Sequence, residues 1–188
     1  MAEGLTMEEQ QTTADKSVYR VLINAPINKV WAELVKVDDV LPFFFGTVCR
    51  TPNGRIEVGG PMAMRTPNGM YTAVVGKVLE FDPPRRYSHT LMFTQYSDDP
   101  SVITYDLKEV DGGTEFTLTQ TNIPVGTKSA KSMVDGAALI ANTLKAVVET
   151  GKPTFGTRMI LGMIRLMQPL TPKQCRSEHW TFERIDNL

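Results

Sequence analysis

The sequence predicts an α+β fold in which a curved antiparallel sheet of about seven strands packs against one long C-terminal helix. The first observation is the stretch 76–120, where runs rich in β-branched and aromatic residues are separated by strong turn chemistry. Asp82-Pro83-Pro84 removes two backbone donors, and Asp111-Gly112-Gly113 permits positive φ in a tight hairpin, so the stretch reads as an antiparallel meander. The second is the stretch 131–150, where Ala137, Ile140, Ala141, Leu144, Val147 and Val148 recur at helical spacing before Gly151 and Pro153 supply a stop. A curved meander facing such a helix encloses space for apolar groups, and the functional question is what fills it.

Taken in order, residues 17–24 form a first strand, with Val18, Arg20 and Leu22 on one face and Tyr19, Val21 and Ile23 on the other. Pro26 suits the first turn of a helix whose apolar face is Ile27, Val30, Trp31, Leu34 and Val35. A second short helical turn is expected over residues 39–44, running into Phe43, Phe44 and Phe45 before Gly46. Strands follow at 50–58 and 61–65, and Pro67-Asn68-Gly69 turns the chain into a long strand over 70–81, the first of the meander. Beyond the long helix, Gly156, Met159, Ile160, Met163, Ile164 and Met167 form a stripe in a further helix over 154–168, with Arg158 and Arg165 opposite. Pro169 and Pro172 end it, and the alternation of Trp180 and Phe182 with polar residues suggests a last short strand over 178–185. The chain thus divides into a disordered tail (1–16), one domain (17–151) and a C-terminal extension (152–188).

Composition narrows the function classes. A chain of 188 residues, 41% hydrophobic, buries one sizeable core. With 20 basic against 21 acidic residues its net charge is −1, so neither bulk nucleic-acid attraction nor anionic-membrane attraction is indicated, which leaves only local patches. Cys49 and Cys175 lie far apart without CxxC or histidine spacing, which argues against a zinc site or a disulfide framework and fits a reducing cytosol. Residues 1–16 lack the basic and apolar regions of a secretory signal, and no run reaches the length of a membrane span, so a cytoplasmic protein is expected. No G-x-S-x-G elbow, Gly-rich phosphate loop or H-E-x-x-H is present, and two histidines cannot build a His-rich site, so neither a metal nor a cofactor is predicted.

The element order, together with KVLEFDPPRRY, VDGGTEFTLTQ and LKAVVETG at their places, resembles the START/Bet v 1-like (SRPBCC) superfamily, and most closely its branch related to the Hsp90-ATPase activator domain. The resemblance covers residues 18–151 and implies a helix-grip fold with an apolar cavity between sheet and helix. It implies no single chemistry, since similar proteins include ligand carriers, cyclases and co-chaperone domains. Two departures stand out. Similar proteins commonly carry a bulky aromatic and a Leu where this chain has Ala137 and Ala141, which predicts a roomier interior. Many similar domains also end near Gly151, whereas this chain continues into the Met-rich helix.

Within that frame, Tyr87, His89, Leu91 and Phe93 alternate onto the more apolar face of their strand. With Tyr71, Tyr105, Phe116, Ala137 and Ala141 they are the expected cavity lining, and Phe44 is the aromatic expected at its mouth. His89 would orient a polar ligand group, or serve as a structural histidine partnered by Tyr71 or Tyr105. The charged group Glu80, Asp82, Arg85 and Arg86 reads as a solvated rim, and His179 as structural or exposed. The first functional expectation is binding of a hydrophobic small molecule, with no catalytic residue assigned. The alternatives are a cofactor-free cyclase or hydrolase using His89 or a tyrosine, and an Hsp90-activator-like interaction domain. The Met159, Met163 and Met167 face offers packing on its own domain, closure of the cavity, a homodimer contact or a protein partner's contact, and an interfacial membrane helix ranks behind these because two arginines are few for that role.

Overall fold

A computed structural model describes residues 9–188 of the chain. Strand β1 (Glu9–Thr12) pairs with β2 (Ser17–Ile23), and α1 (Ile27–Leu34) follows. Next come β3 (Val40–Leu41), β4 (Thr47–Arg50), β5 (Pro61–Arg65), β6 (Thr72–Asp82), β7 (Arg86–Phe93), β8 (Ser101–Val110) and β9 (Gly113–Thr121). The long helix is α2 (Lys128–Thr150), and the C-terminal extension carries α3 (Phe155–Met167) and the short α4 (Phe182–Asp186). All strands join one unclosed antiparallel sheet in the order β1-β2-β9-β8-β7-β6-β5-β4-β3, curved around α2 in the expected helix-grip arrangement.

Alternation along the strands builds the core. Tyr19, Val21 and Ile23 of β2, Ile103, Tyr105 and Leu107 of β8, and Phe116 and Leu118 of β9 are buried, while their neighbours along each strand are partly exposed. The apolar face of α1, with Ile27, Val30, Trp31 and Leu34, closes one end. Helix α2 starts at Thr127, whose hydroxyl accepts from the Ala130 amide, and stops at Gly151 in the left-handed conformation. It packs mainly on β2, and next on α1 and β9. The Lys145 ammonium donates to the Leu22 carbonyl at 2.6 Å and pairs with Glu149 at 2.6 Å, and Glu149 in turn accepts from the Asn24 amide at 2.7 Å. On the outer face of the sheet, Trp180 and Ile185 of the extension pack on Ala63 and Val75 as a second, smaller core.

The sheet has nine strands rather than the expected seven. One addition is β1, within the segment expected to be a disordered tail; Glu9–Thr12 is polar and exposed and pairs with β2 through its backbone and through an ion pair of Glu9 with Arg20 at 3.3 Å, and residues 1–8 of that tail lie outside the described residues. The other is β3, where a second short helix was expected. Phe45 (φ 55°) and Gly46 (φ 69°) are both left-handed, which a right-handed helix cannot accommodate, so Val40 and Leu41 pair with β4 instead. The strand expected over 50–58 is confined to Thr47–Arg50, because the chain turns through Gly54 (φ 68°) and Gly59 (φ 81°). The expected strand over 178–185 is replaced by a 3₁₀ turn and α4: the Thr181 hydroxyl caps α4 by accepting from the Arg184 amide, which favours helix over a sheet edge.

Gly76 marks where β6 and β7 approach most closely. A Cβ there would lie 1.9 Å from the Thr90 carbonyl oxygen, and the Lys77 amide next to it donates to the Thr90 hydroxyl at 2.8 Å. Gly76→Ala should therefore destabilise the fold by about 3 kcal/mol or more through backbone displacement. Gly162→Ala, in the open middle of α3 with nothing within 4 Å, should be neutral or stabilising by up to about 1 kcal/mol. Urea denaturation of the two variants checks the contrast, and equal effects would contradict the close approach.

Candidate functional site

The inner face of β7 passes through two environments. At its start, Tyr87 and His89 lie in a closed aromatic stack: their ring centroids are 5.2 Å apart, each lies within 5.8 Å of Tyr105, and Tyr105 stacks on Phe116 at 5.9 Å. At its end, Leu91 and Phe93 face a half-open cleft of about 690 Å³. One wall is the sheet, from Tyr71 to Val74 on one strand side and from Leu91 to Gln95 on the other, with Gln120 at the end of β9. The facing wall is the first half of α2, through Met133, Gly136, Leu139 and Ile140. Phe44, Phe45 and Thr47, with Ile164 and Met167 of α3 and Cys175, complete the lining.

Local backbone geometry shapes this space. Phe45 is held in the left-handed region, a conformation that a bulky residue adopts only when its surroundings impose it. Its ring lies so near α2 that a Cβ on Gly136 would sit 3.2 Å from the ring carbon Cζ. A glycine at 136 thus lets an aromatic ring stand against the helix and bound the cleft.

The cleft is apolar except at a few points. Gln120 is 3% exposed, and its side-chain amide donates to the Met133 carbonyl at 3.1 Å. That bond fixes the amide orientation and leaves Oε1 buried with no hydrogen-bond partner among the described residues. An unpartnered acceptor at the wall of an apolar cleft favours a ligand that brings a donor.

His89 has different chemistry. Its Nδ1 lies 2.8 Å from the Thr90 carbonyl, which can only accept, so Nδ1 carries the hydrogen and Nε2 presents a lone pair without a partner among the described residues. Burial pushes its pKa down to about 4, against a smaller upward effect of the Thr90 hydrogen bond. Burial likewise raises Tyr87, and it raises the Cys49 thiol to about 12, helped by the Asp38 charge. At neutral pH all of these groups are uncharged.

Of the residues expected to line a cavity, Tyr71, Leu91, Phe93 and Phe44 line the cleft together. Tyr87, His89, Tyr105, Phe116, Ala137 and Ala141 are not part of its lining and are at most 4% exposed in the closed core. His89 bonds to the Thr90 backbone rather than to Tyr71 or Tyr105. Arg86 pairs with Glu80 at 2.9 Å and with Asp106 at 3.2 Å in a solvated rim, and His179 is half exposed beside Glu178. Among the described residues no group of acidic, His or Cys side chains is arranged to hold a metal. Gln120, Met133, Gly136 and Leu139 were not anticipated. Gln120 had a readable signal, since it shares parity with Phe116 and Leu118 and is polar at an inward position.

Comparison with known proteins agrees with this architecture. A family model described as "Activator of Hsp90 ATPase homolog 1-like protein" matches residues 24–149. The crystal structure of CalU16 from Micromonospora echinospora is similar, with a TM-score of 0.60 at 16% identity, covering 85% of this chain and 92% of that one. Protein MLL2253 from Mesorhizobium loti gives 0.59 at 19% identity over 71% of this chain and 96% of its own. DynU16, a protein in the dynemicin biosynthetic locus, gives 0.62 at 17% identity over 75% of this chain and 49% of its own. No curated protein matches the sequence.

The His89 environment fixes a pH response. Its folded pKa of about 4 lies below the ordinary 6.5, so between these values the unfolded chain binds more protons. The stability it contributes is fully present above about pH 6.5 and is lost as the pH falls toward 4. Between pH 7 and 4.5 the native protein should lose on the order of 2 to 3 kcal/mol more stability than His89→Phe or His89→Gln, as read by urea denaturation. Parallel pH profiles for native protein and both variants would refute the assignment.

Proposed function

The chain belongs to the activator of Hsp90 ATPase homolog 1-like family, and from that premise we propose that it binds a small, largely apolar molecule carrying a hydrogen-bond donor, in the cleft between β6, β7 and the first half of α2. The observation that carries this reading is the pairing of a largely apolar space of about 690 Å³ with Gln120 Oε1, the buried side-chain acceptor of its lining that has no partner among the described residues. That volume falls within the range of about 300–1,000 Å³ usual for small-molecule sites, where a few polar groups fix orientation. Each ~100 Å² of apolar ligand surface removed from water contributes about 2.5 kcal/mol before the cost of association. Leu91, Phe93, Phe44 and Ile140 supply that contact, Tyr71 bounds it, and Gln120 accepts from the ligand's hydroxyl or N–H.

This reading is favoured over proton transfer by His89, whose imidazole is 0% exposed in the closed core and outside the cleft lining. Cleft binding needs a shaped apolar wall and one acceptor, and neither requires a proton to move.

A matched pair of probes tests it. Naphthalene and 2-naphthol differ by one hydroxyl, and both should bind saturably. Gln120→Met should weaken 2-naphthol by about five- to tenfold and leave naphthalene unchanged, since a buried hydrogen bond contributes on the order of 1 kcal/mol. Phe93→Ala should weaken both. Titration calorimetry or fluorescence reads these affinities, and absence of saturable binding, or indifference to Phe93→Ala, would sink the proposal.

A further inference from the structure

Helix α3 has a mixed inward face and an apolar outward one. At about 100° per residue, Thr157, Leu161, Ile164 and Gln168 fall on one inward stripe. Thr157 is buried 3.4 Å from the Thr143 hydroxyl, Leu161 lies over Gly46, and Ile164 and Gln168 line the cleft. The opposite stripe holds Phe155, Met159, Met163 and Leu166, exposed by 75%, 62%, 57% and 81%, and Leu170 continues it at 77%. Arg158 and Arg165, two turns apart, run along one flank of that outward stripe.

The charge of this region is unlike that of the rest of the chain. Residues 151–177 contain five of the 20 basic residues, Lys152, Arg158, Arg165, Lys173 and Arg176, and none of the 21 acidic ones. Among the described residues Lys152, Arg158, Arg165 and Lys173 are exposed and have no salt-bridge partner, and Arg176 reaches only its neighbour Glu178, at 3.6 Å. The segment also lies beyond residues 24–149, the part that the family shares. An exposed apolar stripe edged by unpaired cations, with no carboxylate in the segment, is complementary to a surface that is apolar beneath and anionic above.

We propose that α3 and its flanks dock on an anionic lipid bilayer, with the helix lying in the headgroup plane, the outward stripe in the acyl boundary and the arginines among the phosphates. A helix of 13 residues is about 20 Å long, too short to span a bilayer, and none of the described helices is long and apolar enough to do so. Pairing with a second copy through the same face would bring the unpaired Arg158 and Arg165 of each copy together, which charge disfavours. Docking stands apart from ligand binding, because it is measured on unliganded protein. The two meet at one place: Ile164 and Met167 line the cleft, so a docked α3 holds one cleft wall against the bilayer.

Co-sedimentation of the full chain with phosphatidylcholine vesicles, with and without about one third phosphatidylserine, tests the proposal. Binding should require phosphatidylserine and weaken in about 0.5 M salt. Arg158→Glu combined with Arg165→Glu, and separately Leu166→Asp, should each lower partitioning by about tenfold or more. These positions are exposed, and circular dichroism confirms that the variants are folded. Leu166→Trp supplies an independent reading, gaining fluorescence quenched by brominated lipid. Equal binding to neutral and anionic vesicles, or retention of binding in both charge and apolar variants, would overturn the proposal. So would a dimer in light scattering that Leu166→Asp dissociates in a chain that ignores vesicles.

Discussion

The anchoring of α2 to the end of β2 sets the plan of the molecule. Lys145 and Glu149 are four residues apart on one helical face, and their side chains are only 18% and 20% exposed. Charges so far from water persist only when their hydrogen bonds are met, and here the ammonium finds the Leu22 carbonyl while the carboxylate finds the Asn24 amide. Asn142 adds a bond to the Tyr19 hydroxyl at 3.0 Å one turn earlier. The helix is thereby tied over β2 and β9, one side of a nine-stranded sheet. The concave surface of β6 and β7 must be covered by something else. Near Tyr87 and His89 aromatic rings do so; near Leu91 and Phe93 the cover is incomplete, and the cleft is what remains.

Much of this could be read from the sequence, and the parts that could not share a physical cause. Strands whose two faces differ in burial announce themselves by alternation, as β2, β8 and β9 do, and α1 and α2 by their apolar spacing. Strand β1 is polar throughout and is held by backbone pairing and a surface ion pair of Glu9 with Arg20, which leave no alternating apolar pattern. The turn at Phe45-Gly46 depends on left-handed backbone at a phenylalanine, which local preference opposes and packing imposes. In the tail, Trp180 and Phe182 look like strand alternation, yet the most deeply buried residue there is Ile185, which the Thr181-capped helix turns onto the same small core as Trp180.

The candidate site was legible in parity but not in depth. Alternation correctly sent Tyr87, His89, Leu91 and Phe93 to one face, but it cannot tell which end of a long strand the helix and its neighbours cover. Alanines at 137 and 141 leave room, and they share their buried cluster with Tyr87, Tyr105 and Phe116, large rings able to use it. The open space lies toward the start of α2, beside Ser132, Gly136 and Leu139. There the smallest residue, Gly136, admits the Phe45 ring instead of creating a void. Which small residue opens a cavity and which admits a neighbour is decided by the chain's path around it, and that path ran through the unforeseen left-handed turn.

Helix α3 joins the cleft to the surface. Only Thr157 is buried along its length, so few contacts oppose its local displacement. Its ends are held. Gly151 turns the chain out of α2, and beyond α3 the extension is fastened by Gln174 to the Gln95 carbonyl at 2.7 Å, by Ser177 to Thr72 at 2.9 Å and by Trp180 packed on the outer sheet. A helix secured at both ends and lightly packed between them can shift without unfolding the domain. A surface helix of a water-soluble domain normally has one polar face. This one has an inner stripe in which Leu161 and Ile164 alternate with the hydrogen-bonded Thr157 and Gln168, and an apolar outer stripe edged by unpaired arginines, so its sequence is accounted for only when the outer face also has something to meet.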